Sequence, residues 1–318
     1  MSIAVVYPGQ GSQVLGMGAD LSKKYKVARM VFEEVNEALK EDLFKIMQFG
    51  NQEDLQLTKN AQPAIMASGI AVTRVVEKET GKKIGEIASH TAGHSLGEYT
   101  SLVAAESLTL RDAAKLLRIR GEAMQSAVPV GLGSMVAMIG VSIEDVEHFI
   151  ASVGDLNGIV EVANDNAPGQ VVISGHIPAL DSVIKFAEES GLKRSIRLSV
   201  SAPFHSSLME KAAETMSEAL KNIKINEPKI PIICNYNATP ETAPNLLHKN
   251  LINQVTRKVR WRETMEKLSN LGINQIVEMG TGKVLTGIAR RCVQNIQCHG
   301  IETSEEIVKW IANEYLTV

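Results

Sequence analysis

The sequence predicts an α/β fold, with a mainly parallel sheet covered by helices on both faces and a small inserted α+β unit. Two observations carry this. Short apolar runs alternate with helical patterns along most of the 318 residues, an order that forces parallel strands with helical crossovers. Between Gly131 and Ser201 the order becomes β-α-β-β-α-β, the ferredoxin-like arrangement. Hydrophobic residues, 44% of the chain, are enough to fill a core of that size.

Residues 3–7 read as a buried strand, apolar throughout and ended by Pro8-Gly9. Helical patterns follow over 27–39 and 63–79. Residues 87–93 read as a second strand, although they include Ser89, His90 and Thr91. Helices follow over 96–105 and 110–124, the latter capped by Thr109. In the inserted unit, a strand at 134–139 precedes a helix at 143–153 capped by Ser142. Strands at 159–163 and 170–174 flank a turn-rich segment, 164–169. A helix at 179–189 stops at Gly191, and a strand at 195–200 closes the unit. Beyond it come a helix (208–220), a strand (230–235), helices (244–255 and 264–271), a strand (275–279) and two last helices (284–292 and 307–315). The expected division is 1–130 with 202–318 as the large catalytic domain and 131–201 as the small subdomain.

Charged residues make up 22% of the chain and the formal net charge is -3, so a nucleic-acid partner is not expected. Three cysteines, Cys234, Cys292 and Cys298, lack zinc-site spacing and fit a reduced, cytoplasmic compartment. Residues 1–7 lack the basic start and long apolar core of a signal peptide. No apolar stretch is long enough to span a bilayer, so no membrane association is expected.

Gly93-His94-Ser95-Leu96-Gly97 has the Gly-x-Ser-x-Gly spacing of a nucleophile elbow and lies where a strand gives way to a helix. A serine on such a turn needs glycine on each side, where a Cβ would clash. The following helix N-terminus turns the Leu96 N–H towards developing negative charge. A serine hydroxyl needs a base. Of seven histidines, His205 stands out: it follows Ala202-Pro203-Phe204 after a strand and precedes Ser206-Ser207 at a helix start. His94 neighbours the serine, but adjacent side chains on such a turn point apart. No Asp or Glu between the two has the setting of a third triad member, so a backbone carbonyl could orient His205 instead. Gln10, in Pro8-Gly9-Gln10-Gly11-Ser12-Gln13, offers an inward amide as an oxyanion donor; a simple turn or a weak phosphate loop are the alternatives. Arg120, by position alone, reads as a charge complementing a helix C-terminus rather than as a carboxylate clamp.

Taken together, these segments resemble the malonyl-CoA:acyl carrier protein transacylases of fatty-acid synthesis and the acyltransferase domains of polyketide synthases. Matching stretches also include Asn60-Ala61-Gln62-Pro63-Ala64, Arg120-Gly121 with Met124-Gln125, 166–171 and Gly282-Lys283-Val284-Leu285. The resemblance implies a hydrolase-like α/β domain carrying the ferredoxin-like subdomain. It implies Ser95 as nucleophile, His205 as base then acid, Gln10 and Leu96 as oxyanion-hole amides, and Arg120 as partner of the malonate carboxylate. It places Gln254 at the carbonyl that orients the histidine, and Gln62 and His94 among polar residues lining the site. Phe204 would favour malonyl over methylmalonyl. The implied partners are malonyl-CoA and acyl carrier protein, acting on a monomer without cofactor or metal. An acidic carrier would dock on basic stretches such as Arg257, Lys258, Arg260 and Arg262, or Arg290-Arg291. Gly280-Thr281-Gly282 departs from the family's Gly-Pro-Gly, which touches loop stiffness. A thioesterase on the same elbow and a non-catalytic carrier-binding module are the rival readings.

Overall fold

The computed structural model describes residues 2–200 and 202–315. Met1 and Ser201, the expected end of the inserted unit, lie outside the described residues. A six-stranded sheet forms the main body. Its strands are β1 (Ile3–Tyr7), β2 (His90–Gly93), β7 (Ile232–Ile233), β8 (Pro240–Glu241), β9 (Gln275–Met279) and β10 (Gln297–Ile301), in the order β10-β9-β1-β2-β7-β8. All neighbours are parallel except β7 and β8. β1, wholly buried, sits between β9 and β2. Helices Lys26–Leu39, Thr58–Thr80 and Leu110–Ser126 pack with β1 residues Ile3, Val5 and Tyr7 in the largest apolar cluster. Ala4 and Val6, pointing the other way as strand alternation requires, join a second cluster with Trp261, Leu285 and Ile288.

The second sheet is antiparallel: β3 (Gly133–Ile139), β4 (Val160–Ala167), β5 (Gln170–His176) and β6 (Arg194–Arg197), in the order β4-β5-β3-β6. Helices Ile143–Ser152 and Ile177–Glu189 cover one face through Val146, Phe149, Leu180 and Val183. This is the ferredoxin-like order.

Several elements differ from the sequence expectation. The expected strand 87–93 begins only at His90, because Ile84 and Ile87 bury on one side of a short helix, Ile84–Ile87, closed by Glu86 accepting from the Lys83 N–H. The helix expected from Pro63 starts at Thr58; Pro63 forfeits one backbone bond, but the segment around it is fully buried. Segment 164–169 is mostly strand. Asn164 bridges to Val259, and Asp165 both donates its N–H to the Val259 carbonyl and pairs with Arg262. Tertiary partners thus satisfy polar groups that look like turn formers, and only Pro168-Gly169, with Gly169 at φ +74°, makes the turn. Strand 230–235 contracts to β7. β10 and helices Ala19–Lys24, Leu43–Phe49 and Gln52–Gln56 were not anticipated. Thr281 replaces the family proline but is buried and hydrogen-bonded to Ser68 at 2.8 Å, which anchors the loop after β9. Among the described residues no helix is long and apolar enough to cross a membrane.

Parallel strands end at one edge of the sheet, and such an edge is where ligand sites form in open α/β sheets. The chain leaves β1 into Pro8–Gln13, β2 into the serine turn, β7 into Asn235 and β9 into Gly280.

Candidate active site

The Ser95 turn is built by close contact. Ser95 has φ +53°, a left-handed conformation that costs a non-glycine residue about 1–2 kcal/mol. A Cβ on Gly93 would lie 1.9 Å from the Gly97 carbonyl, and one on Gly97 2.4 Å from the Tyr7 carbonyl oxygen. Glycine is therefore required at both flanks. Gly9 meets the same limit, since a Cβ there would sit 2.8 Å from the His94 carbonyl oxygen. The loop after β1 thus lies directly against the turn. Asn235, buried at the end of β7, holds the turn from the other side: its Oδ1 accepts from the Ser95 N–H and its Nδ2 donates to the Gly93 carbonyl, both at 2.7 Å.

His205 arrives on the segment returning from the small sheet, itself at φ +57°. Its ring is buried, and Nε2 lies 2.8 Å from Ser95 Oγ. Nδ1 lies 2.7 Å from the Gln254 backbone carbonyl. A carbonyl can only accept, so Nδ1 carries the proton and Nε2 presents its lone pair to the Ser95 hydroxyl. Burial first, and then the Arg120 charge, push the imidazole down to about 3, which keeps it neutral at working pH. The carbonyl supplies the orientation for which no acid was found in the sequence.

Arg120 is 1% exposed, an unusual setting for a guanidinium. Its Nη1 donates to Gln62 Oε1 at 2.9 Å, and its Nη2 to Gln254 Oε1 at 2.8 Å and Ser95 Oγ at 3.0 Å. The group also lies 5.8 Å over the Tyr99 ring. Gly121 makes this possible: a Cβ there would sit 2.6 Å from Lys59 Cα, so helix Leu110–Ser126 touches the start of helix Thr58–Thr80 and Arg120 reaches Gln62. Far from ending a helix, Arg120 lies mid-helix, so the dipole-complementing alternative does not hold.

The structure therefore brings Ser95, His205, Arg120, Gln62 and Gln254 together. Gln10 and Leu96 flank the turn through the Pro8–Gln13 loop and the start of helix Gly97–Ala104; among the described residues neither backbone N–H donates to a protein group. The Gln10 side chain donates to Thr58 at 3.3 Å. His94 is directed elsewhere, its Nε2 2.9 Å from Asn166 Oδ1 and its ring 5.4 Å from Trp261. Phe204 is buried in the main apolar cluster. Two residues carry more of the site than the sequence disclosed. Asn235 closes an expected strand beside the turn, and Glu98 is part of the elbow segment; a polar residue ending a neighbouring strand was the available signal for the first.

A cavity of about 570 Å³ leads to His205 from between the two sheets, lined by Glu147, Glu161, Tyr236, Arg257 and Lys258 among others. Lys258 pairs with Glu147 at 3.7 Å across the cavity wall, and the other expected basic residues are engaged as well. Arg260 pairs with Glu263, Arg262 with the buried Asp165 and with Glu266, Arg290 donates to the Cys298 carbonyl, and Arg291 bonds Gln170.

A serine, an oriented neutral imidazole and two free amides suit acyl transfer through a tetrahedral intermediate. Comparison with known proteins agrees. The acyl transferase domain family matches residues 4–315. The chain is 39% identical over 305 residues to the malonyl CoA-acyl carrier protein transacylase of Bacillus subtilis, covering 96% of this chain and 95% of that one. It is 40% identical over 294 residues to the Haemophilus influenzae protein of the same name, covering 92% and 93%. The acyl-carrier-protein S-malonyltransferase structure from Bartonella henselae superposes with a TM-score of 0.95 at 47% identity, covering 98% of this chain and 99% of that one. A malonyl-transacylase solved in complex with a type II PKS acyl-carrier protein gives 0.94 at 36% identity, covering 99% and 100%.

Proposed function

The chain belongs to the acyl transferase family, among the malonyl-CoA–acyl carrier protein transacylases, and on that premise we propose how its own residues move a malonyl group from coenzyme A to a carrier thiol. His205 Nε2 takes the Ser95 proton as Oγ attacks the thioester carbonyl. The Gln10 and Leu96 N–H groups hold the oxyanion, the C–S bond breaks, and His205 returns the proton to the departing coenzyme A sulfur. The malonyl ester on Ser95 then receives the pantetheine thiol of the carrier by the same steps in reverse. One thioester replaces another, so the exchange is nearly balanced in free energy. Arg120 selects the acyl group: its Nη2 passes from Ser95 Oγ to the malonate carboxylate, a charge-assisted pair in a dry site. The malonyl carrier so formed supplies fatty-acid synthesis.

The observation that carries this reading is the junction at Ser95 Oγ, where the base at 2.8 Å and a buried cation at 3.0 Å meet on one atom. Its test is the fate of labelled malonyl-CoA mixed with enzyme and holo carrier. Carrier-bound malonyl is the expected main product, and free malonate released as fast would reject transfer in favour of hydrolysis.

Arg257 and Lys258, at the mouth of the cavity to His205, form the docking surface for the acidic carrier. Reversing both charges (Arg257→Glu with Lys258→Glu) is expected to raise the carrier KM about tenfold at low salt, while malonyl-CoA loading stays within about twofold. The difference shrinks as salt is added. Unchanged carrier kinetics would remove this patch.

A further inference from the structure

Glu98 follows Ser95 by three residues and is 1% exposed. Its Oε2 accepts the Asn235 N–H at 2.9 Å and the Gln254 side-chain amide at 3.1 Å. Those two residues hold the rest of the site. Asn235 fixes the serine turn through Ser95 and Gly93. Gln254 orients His205 with its backbone carbonyl and anchors Arg120 with its Oε1. The geometry points to Glu98 as a positioning residue for malonyl transfer, one buried carboxylate that, through Asn235 and Gln254, keeps the serine turn, the base and the guanidinium in register.

The Gln254 amide shows how. Its Oε1 must face Arg120, so its Nε2 must face an acceptor, and Glu98 is the charged acceptor there. Both bonds fall on Oε2, while Oε1 has no hydrogen-bond partner among the described residues, so the carbonyl oxygen of a glutamine would keep them and an apolar side chain would lose both. Packing alone does not call for a buried charge, since apolar or neutral groups of similar volume serve as well or better. Burial pushes the Glu98 carboxyl up to about 7. The titratable groups facing it are Arg120 across the Gln254 bridge, Tyr99 beside it and the Cys234 thiol just after β7, which burial and Glu98 together hold well above its usual value.

The titration of Glu98 bears on stability. Because the fold prefers neutral Glu98, its stabilising contribution is present below the ordinary carboxylate range and is lost as pH rises through about 7. A proton on the unpartnered Oε1 leaves Oε2 accepting from Asn235 and Gln254, so loading is not expected to follow this titration. His205, held near 3, does not titrate there. A purely structural residue would move stability and activity together.

The inference rests on Ser95 and His205 acting as proposed above. Its test is single-turnover malonyl loading by the full chain, with melting temperatures, for wild type, Glu98→Leu, Glu98→Gln and Glu98→Asp. Glu98→Leu, which loses both bonds, is expected to load about 10- to 100-fold more slowly with KM within about threefold. Glu98→Gln, which keeps the acceptor oxygen, is expected to load within about threefold of wild type, and Glu98→Asp, with the shorter reach, at an intermediate rate. Wild-type rates in Glu98→Leu, or rates in Glu98→Gln as low as in Glu98→Leu, would each overturn the inference. Equal rates in Glu98→Asp and wild type would do the same, since the reach to Asn235 and Gln254 would then not matter. Loading absent from wild type itself would overturn the proposed function along with it.

Discussion

His205→Ala is expected to lower malonyl loading about 10⁴-fold, with KM for malonyl-CoA within about threefold of wild type. The imbalance follows from where the imidazole acts. Ser95 Oγ sits 2.8 Å from Nε2, and the Gln254 carbonyl holds the ring by Nδ1 at 2.7 Å. Both contacts matter when the hydroxyl proton moves and again when the leaving sulfur is protonated. Ground-state binding instead uses Arg120 and the cavity walls, which the substitution leaves in place. General acid–base catalysis supplies up to about 10⁴-fold. Residual loading then rests on the oxyanion amides and the positioned substrate. Rapid-quench loading separates the two parameters. A tenfold loss or less would mean that another group takes the serine proton.

Arg120→Ala is expected to cost malonyl loading about 10²- to 10⁴-fold in kcat/KM and acetyl loading less than about tenfold. Breaking a buried, hydrogen-bonded charge pair costs about 3–5 kcal/mol, and each 1.36 kcal/mol is a factor of ten. Only the malonyl ester carries the carboxylate that forms this pair. Acetyl loading loses only the effect of Nη2 on Ser95 Oγ, 3.0 Å away, and the support of Gln62 and Gln254. Arg120→Lys restores little, because one nitrogen on a differently shaped side chain cannot stand at both the Nη1 and Nη2 positions that meet Gln62 and Gln254. Competition between malonyl-CoA and acetyl-CoA in one reaction reads the ratio directly; equal losses for both would reject the clamp.

The serine turn was legible from sequence because its requirement is local. Glycines at Gly93 and Gly97, a strand before and a helix after are all present within one stretch, and the contacts of 1.9 and 2.4 Å express the same steric demand. His205 lies 110 residues from Ser95, so its pairing was a choice among seven histidines made on loop context. The acceptor of its Nδ1 proton is a backbone carbonyl, which has no sequence signature; only resemblance pointed to Gln254. Arg120 was misread by position because Gly121, not a helix end, explains the motif: it allows two helices to touch at Lys59. Asn235 stayed hidden because its partners, Ser95 and Gly93, are about 140 residues away. In the fold, β10 carries Cys298, His299 and Gly300 and becomes a strand only through pairing with β9. Segment 164–169 was misjudged for the opposite reason, since polar side chains that favour turns locally find Val259, Arg262 and His94 instead.

The most direct measurement is peptide mapping of the acid-quenched enzyme after mixing with malonyl-CoA and no carrier, alongside Ser95→Ala. The account predicts one added malonyl group on the peptide containing Ser95 and none on the Ala variant. A malonyl group on another side chain, or on the Ala variant as readily as on wild type, would contradict it.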